Sequence, residues 1–418
     1  MILGTALMGL GLAILLLDIY RANPQSTILP VLSLMAFPRW LRAALFAALG
    51  MACLVIGVVR FNRALLAPYM RPGKPVVQAV AHHRKIGRGP RVVAVGGGTG
   101  LATLLRGLKH HTANLTAIVS VADDGGSSGK LRRSLGMLPP GDLRNCLAAL
   151  SDDEDLLTQL FQYRFVELDG LEGHPFGNLL IAALSGVTGS FDRGVMEAGR
   201  VLAIHGQVLP STLANVSLLA DKTPVLDAQA IRIEGESRIP SIPGRIRTVH
   251  LEPDRPPAFP EAIRALLAAE LIVLGPGSLY TSVMPNLLIP DIAHAIRSSR
   301  AFKVYVCNIA TQPGETDGYD SRQHLAAIDE HVGRRLADLM LVNDRIDNQR
   351  YPRVPFVGPT QEGITTIPTY STDLIDDQRP WRHDSTKLAE TLVRLLEERT
   401  GPLELSQSER AEPAPGRN

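Results

Sequence analysis

The chain has 418 residues, of which 45% are hydrophobic, and its 43 Lys plus Arg nearly balance its 41 Asp plus Glu; that is enough chain for one large or two small domains with appendages. Residues 1–90 hold ten of the basic residues and one acid, Asp18, a balance of +9, which leaves the remainder at −7 and without the basic footprint of a nucleic-acid binder. The three cysteines, Cys53, Cys146 and Cys307, stand far apart, which excludes a CxxC pair and a disulfide framework.

Residues 2–20 and 43–59 are two nearly uncharged apolar runs, the second extended by Trp40 and Leu41. Each is about long enough to cross a bilayer as a helix. Tyr20 and Trp40 stand near the ends, where amphipathic rings prefer the interface. The first run lacks a basic leader and reads poorly as a signal peptide. Prolines between the runs argue against one continuous helix, so a two-helix transmembrane hairpin is expected over residues 1–60. Arg60, Arg63, Arg71 and Lys74 follow the second run, and this basic bias predicts an inner (cytoplasmic) membrane location with the large domain in the cytoplasm. Residues 61–90 read as a basic juxtamembrane linker.

Residues 91–100 read RVVAVGGGTG. A short β-rich run meets a glycine turn, and Leu101, Leu104, Leu105 and Leu108 then share one helical face. Strand, glycine turn and helix open a doubly wound α/β domain. Gly96, Gly97, Gly98 and Gly100, with Thr99 among them, remove Cβ atoms where backbone and ligand come close. The free amides of the helix's first turn favour a phosphate or another anion. Gly96 and Gly98 fit the first two positions of the dinucleotide fingerprint, but Leu101 holds the third, and no lysine stands at a P-loop position. The loop therefore reads as an anion site that specifies neither NAD nor ATP.

A second strand over 115–121 ends in ADDGGSSGK. Asp123, Asp124, Ser127 and Ser128 thus lie at a strand's carboxyl end, where open α/β sheets bind ligands. The aspartates suit ribose hydroxyls, or a magnesium ion shared with phosphates; they also suit plain turns and caps. In LPPGDLRN the prolines and Gly141 make a rigid turn, Asp142 is expected to cap the next helix, and Arg144 and Asn145 stand at its start within reach of a phosphate or base. GHPFGN brings His174 and Asn178 to another glycine-flanked helix entrance. No second His or Cys stands at metal-ligand spacing.

Helices follow over 156–165, 179–184 and 192–205, and a strand over 207–219. Residues about 220–255 change to short strands and turns, which predicts an antiparallel insertion. A helix over 256–269 and a strand over 271–274 resume the α/β rhythm. The strand runs into GPGSLYTS, where Gly277, Ser278, Tyr280 and Thr281 form a second anion-binding candidate. Strands over 304–309 and 339–342, a loop over 311–316 and a helix over 323–331 come next. A last helix starts at Asp384 or Ser385 and runs to about 396. Residues 401–418 are rich in Ser, Glu and Pro and are expected to be a disordered tail.

Five segments in order, AVGGGTGLATLLRGL, SVADDGGSSGKLR, LPPGDLRNCLAAL, GHPFGNLLIAAL and LGPGSLYTSVMPNLL, resemble the YvcK or gluconeogenesis-factor family of bacteria. That family is related to the CofD-like 2-phospho-L-lactate transferases, and the likeness covers roughly 90–400. It implies a Rossmann-like fold for residues 91–400. The full fold-class expectation is α/β: a doubly wound Rossmann-like mostly parallel sheet with a small antiparallel insertion, preceded by the transmembrane hairpin. The resemblance also implies a UDP-sugar ligand such as UDP-N-acetylglucosamine. The function it implies is regulation of central carbon and cell-envelope metabolism, with a part in cell shape under gluconeogenic growth. By resemblance Gly96–Gly100 form a phosphate loop, Asp123 and Asp124 contact ribose or metal, and Gly277–Ser282 belong to the ligand wall. His174 and Asn178 match a family motif. The related transferases use a guanylylated donor and a divalent ion, so a Mg-dependent phospholactyl-type transferase is the alternative. No nucleophile or general base stands out, which puts a non-catalytic binding protein first. The expected partners are the nucleotide sugar, the membrane through residues 1–60, a second copy of the chain and envelope-synthesis proteins.

Overall fold

The computed structural model describes residues 37–66, 87 and 89–400, apart from 152–153, 167–170, 226–228, 334 and 360–364, together with scattered positions between 9 and 22. Its contacts divide the chain into residues 1–82 and 83–418.

The first unit contains helix α1, Arg39–Leu66. Its segment Arg39–Phe61 has a mean hydropathy of 2.2 and none of it is buried, so it is long and apolar enough to cross a membrane. This corrects the expected hairpin: among the described residues one such helix is present, not two. Most of the expected first helix, residues 2–20, lies outside the described residues. Most of the expected linker and the whole of 401–418 lie outside the described residues.

The second unit opens with β1, Val92–Gly96, and α2, Gly98–Leu108. Leu101, Leu104, Leu105 and Leu108 are fully buried, as the 3.6-residue spacing requires. Next come β2, Leu115–Val119; α3, Gly126–Leu135; α4, Gly141–Leu150; α5, Glu154–Gln162; α6, Phe176–Thr188; and α7, Phe191–Val201. Strands β3, Gln207–Pro210, β4, Ser217–Pro224, β5, Ile231–Glu234, and β6, Gly244–Glu252, precede α8, Pro260–Ala268. Strand β7, Leu271–Leu274, leads through a π-helical turn, Leu279–Val283, into α9, Met284–Leu287, and α10, Pro290–Ser298. The chain closes with β8, Phe302–Val306; α11, Ser321–Val332; β9, Leu339–Asn343; β10, Thr369–Thr372; and α12, Ser385–Thr400.

Seven strands form one parallel sheet in the order β10-β9-β8-β7-β1-β2-β3. Val92 of β1 pairs with Leu115 on one side and Leu271 on the other. Strands β1, β7 and β8 are buried along their whole length, and β1 and β7 are accordingly continuous apolar runs rather than alternating ones. Strand order runs outward from β1 through β2 to β3 and from β7 through β8 to β10, so it reverses between β1 and β7. That switch point is where open α/β sheets leave a crevice at the strands' carboxyl ends.

The expected insertion is a separate antiparallel sheet, β5-β4-β6. It is tied down by polar contacts. The fully enclosed Lys222 donates from Nζ to the carbonyls of Ile239 at 2.9 Å and Gly314 at 2.5 Å. His331 of α11 accepts from the Val249 amide of β6 at 3.0 Å. Helix α3 was not legible as a helix, because GSSGKLRRSL has weak intrinsic propensity. It is held by tertiary contacts instead: Leu131 is buried, and Arg132 donates to the Val216 carbonyl at 2.7 Å.

Candidate functional site

At the switch point lies a cavity of about 430 Å³. Gly97, Gly98, Thr99 and Gly100 after β1, Pro276, Gly277 and Ser278 after β7, and the 308–313 stretch after β8 form its walls. Gly98 has φ +63, a left-handed conformation that glycine takes at no steric cost. A Cβ on Gly100 would stand 2.6 Å from the Pro276 carbonyl oxygen, so its bareness lets the two loops touch. Helix α2 has no acid in its first turn and no side-chain cap, so the amides at its start, apart from that of Gly98, which donates to Asp142, remain available to an anion. Arg353 and Arg382 line the same cavity and add positive charge. Gln312 donates from Nε2 to Ser278 Oγ at 2.7 Å. His383 closes one side, donating from Nε2 to the Cys307 carbonyl at 3.1 Å, and complete burial lowers its pKa to about 4, so the ring is neutral.

Beside the glycine loop sits an acidic centre. Ligand oxygens of Asp123, Asp124 and Glu236 lie within 4.8 Å of one another. Asp123 Oδ1 accepts from the Gly125 amide and Asp124 Oδ1 from the Ser237 amide, each at 2.9 Å. Burial first, then the neighbouring Asp123, Asp142 and Glu315, pushes the Glu236 carboxyl well above the usual range. Asp142 does not cap α4, whose N-cap is Pro140 with no side-chain cap bond. It turns toward the glycine loop instead, where a Cβ on Gly97 would meet its Oδ2 at 2.6 Å. Burial and then Asp123 raise its pKa to about 6, against the lowering effect of a hydrogen bond from the Gly98 backbone. Glu315 accepts from Thr281 Oγ1 at 2.9 Å and is also pushed upward by burial. So many crowded carboxylates repel one another, and a cation would relieve them.

A third group is a polar chain. Arg144 donates to Asn178 Oδ1 at 3.2 Å and to Asn145 Oδ1 at 2.8 Å. Asn178 donates to Ser127 Oγ at 3.0 Å, and Ser127 Oγ lies 2.8 Å from His174 Nδ1. Burial, then Lys130, lowers the His174 pKa. Ser128 Oγ accepts from the Gly141 amide at 3.2 Å.

The residues singled out from sequence therefore fall into separate places. Gly97–Gly100, Gly277 and Ser278 share the switch-point cavity, whereas Gly96 ends β1 with its carbonyl turned to Asn286. Asp123 and Asp124 join the acidic centre, and Ser127, Arg144, Asn145, His174 and Asn178 form the polar chain. Tyr280 faces another cavity, its hydroxyl 3.1 Å from that of Tyr319. Sequence reasoning missed Glu236, Asn308, Arg353, Trp381, Arg382 and His383. Asn308 follows β8 at the sheet's carboxyl edge, so the crevice rule could have found it; nothing local marks the others.

The profile of the family described as 2-phospho-L-lactate transferase CofD matches residues 92–400. A relative from Nostoc sp. is 51% identical over 311 residues, 74% of this chain and 67% of that one. The protein named gluconeogenesis factor in Bacillus subtilis is 44% identical over 322 residues, 75% of this chain and 100% of that one. Some relatives are longer, and the chain spans 57% of one from Clostridium acetobutylicum. A crystal structure of a UPF0052-family member from Bacillus halodurans superposes with a TM-score of 0.68 at 43% identity, covering 73% of this chain and 99% of that one.

Proposed function

The chain belongs to the CofD-type gluconeogenesis factor family, and from that premise we propose that the switch-point cavity binds a nucleotide sugar of the UDP-N-acetylglucosamine type. One observation carries this reading: two glycine loops and the α2 amides that follow Gly98 converge on one cavity whose walls also hold Arg353 and Arg382. Backbone donors and guanidinium groups together suit a diphosphate, and the volume lies in the range of small-molecule sites. The protein would act as a binding regulator of central carbon and cell-envelope metabolism that supports cell shape during gluconeogenic growth. Helix α1 would attach it to the inner membrane, and the basic residues Arg60 and Arg63 at the end of the apolar span support a cytoplasmic location for the large domain.

A second reading, a Mg-dependent phospholactyl-type transferase, is favoured by the acidic centre. Asp123, Asp124 and Glu236 offer the hard oxygen ligands that Mg²⁺ takes, and the upward push on Glu236 is the repulsion that a divalent ion removes. Bound there, the ion would neutralise phosphate oxygens of a nucleotide-linked donor.

Titration calorimetry on the full chain in detergent separates the readings, using UDP-N-acetylglucosamine and GDP, each with and without Mg²⁺. Saturable binding of the UDP-sugar, weakened roughly tenfold or more by Arg382→Ala, supports the first. Binding of GDP that depends on Mg²⁺ and is lost in Asp124→Asn, with no heat from the UDP-sugar, favours the second. Silence with every ligand overturns both.

A further inference from the structure

A second cavity of about 1090 Å³ lies between the antiparallel insertion and α11, and it shares only Pro313 with the wall of the first. We propose that it is a binding site for a phosphorylated sugar. Its floor is the Tyr280–Tyr319 pair, rings edge to face with centroids 6.4 Å apart. One wall carries Arg245 and Arg247 of β6, both exposed, with Arg247 at an irregularity in the strand's pairing with β4. Arg247 is steadied by Thr223, to whose Oγ1 it donates at 2.7 Å. Arg245 has no ion-pair or hydrogen-bond partner among the described residues, so its planar fork is open to an oxyanion. The opposite wall carries Glu330 from α11 and Asp317 from the preceding loop. Glu330 likewise has no partner among the described residues.

These walls select a class of ligand. Guanidinium groups alone would take any phosphate. Carboxylates across the cavity repel a bare phosphate dianion but accept hydrogen bonds from hydroxyl or ammonium groups. A molecule with an anionic end and a hydroxyl-rich body satisfies both walls, and the tyrosine floor offers an apolar surface with polar tips beneath that body. A sugar phosphate has this pattern and inorganic phosphate does not.

Calorimetry on the full chain in detergent tests the site with glucose 6-phosphate, glucosamine 6-phosphate and inorganic phosphate. At least one sugar phosphate is expected to bind saturably, and more tightly than inorganic phosphate. Arg245→Ala should weaken that binding roughly ten- to a hundredfold. Glu330→Gln should weaken the sugar phosphate but not inorganic phosphate. UDP-N-acetylglucosamine titrated into the same Arg245→Ala sample should bind as it does to the unaltered chain, which reports both an intact fold and an independent first cavity. Should that ligand fail with every sample while a sugar phosphate binds through Arg245, the switch-point reading falls and this one stands; circular dichroism melting then serves as the folding check. No saturable binding of either sugar phosphate up to roughly 1 mM, equal affinity for inorganic phosphate, or unchanged affinity in Arg245→Ala would each overturn the proposal.

Discussion

The side-chain amide of Asn286 donates to the carbonyl oxygen of Gly96 at 3.0 Å, across 190 residues of sequence, and also to that of Ser282 at 2.8 Å. Asn286 is completely buried. The bond fastens the end of β1 to the helix that follows β7, and so holds together the two loops that wall the switch-point cavity.

Removing it should loosen that junction. Asn286→Ala is expected to cost about 1–3 kcal/mol, the usual penalty for stranding buried polar groups. Asn286→Asp should cost more, since it brings a carboxylate against two carbonyl oxygens and offers no donor in its charged form. Urea unfolding of the three proteins gives the order directly. An aspartate variant as stable as the unaltered chain would show that the amide's two bonds do not matter.

The Asp142 carboxyl makes stability depend on pH. Its folded pKa of about 6 stands above the ordinary 3.8, so the folded state disfavours the charged form. The contribution is least harmful below pH about 4, and stability is lost as pH rises through about 6. Asp142→Asn removes the charge and keeps the shape. It should be more stable than the unaltered chain near pH 7.5, by at most about 3 kcal/mol, and the gap should close toward pH 4. Paired melting curves across that range check it, and a gap that widens as pH falls would contradict the assignment.

The glycines of the first loop are bare for different reasons, and alanine should separate them. Gly98→Ala meets open space, with Ser282 Oγ at 3.5 Å as its nearest neighbour, but keeps an unfavourable φ of +63; the expected cost is about 1–2 kcal/mol. Gly100→Ala places a methyl 2.6 Å from the Pro276 carbonyl oxygen and 3.0 Å from Gly277 Cα, so the two loops must part. It should melt lower than Gly98→Ala and bind UDP-N-acetylglucosamine more weakly. Identical melting of the two variants would mean that the loop yields without cost.

Helix α1 should hold the chain in a membrane. Alkaline carbonate extraction is expected to leave the full chain in the pellet and to release a variant lacking residues 1–61. The unaltered chain in the supernatant would refute membrane insertion.

Sequence alone was enough for the parts whose causes are local. Buried parallel strands read as short apolar runs, so β1, β2 and β7 were legible, and the spacing of Leu101, Leu104, Leu105 and Leu108 marked α2 through a periodicity any amphipathic helix must have. The glycines after β1 and β7 pointed to the cavity because a crevice at strand ends needs backbone without side chains. Tertiary structure decided what depends on distant segments meeting. Glu236 reaches Asp123 only because the insertion folds back over the sheet's carboxyl edge. Arg382 and His383 enter the cavity from a stretch with no local signal. Asp142 had the position of a helix cap, but packing turned it toward the glycine loop, and burial, which no neighbouring residue in sequence encodes, raised its pKa. Apolar length by itself predicted two membrane helices, and among the described residues one is long and apolar enough to cross a membrane.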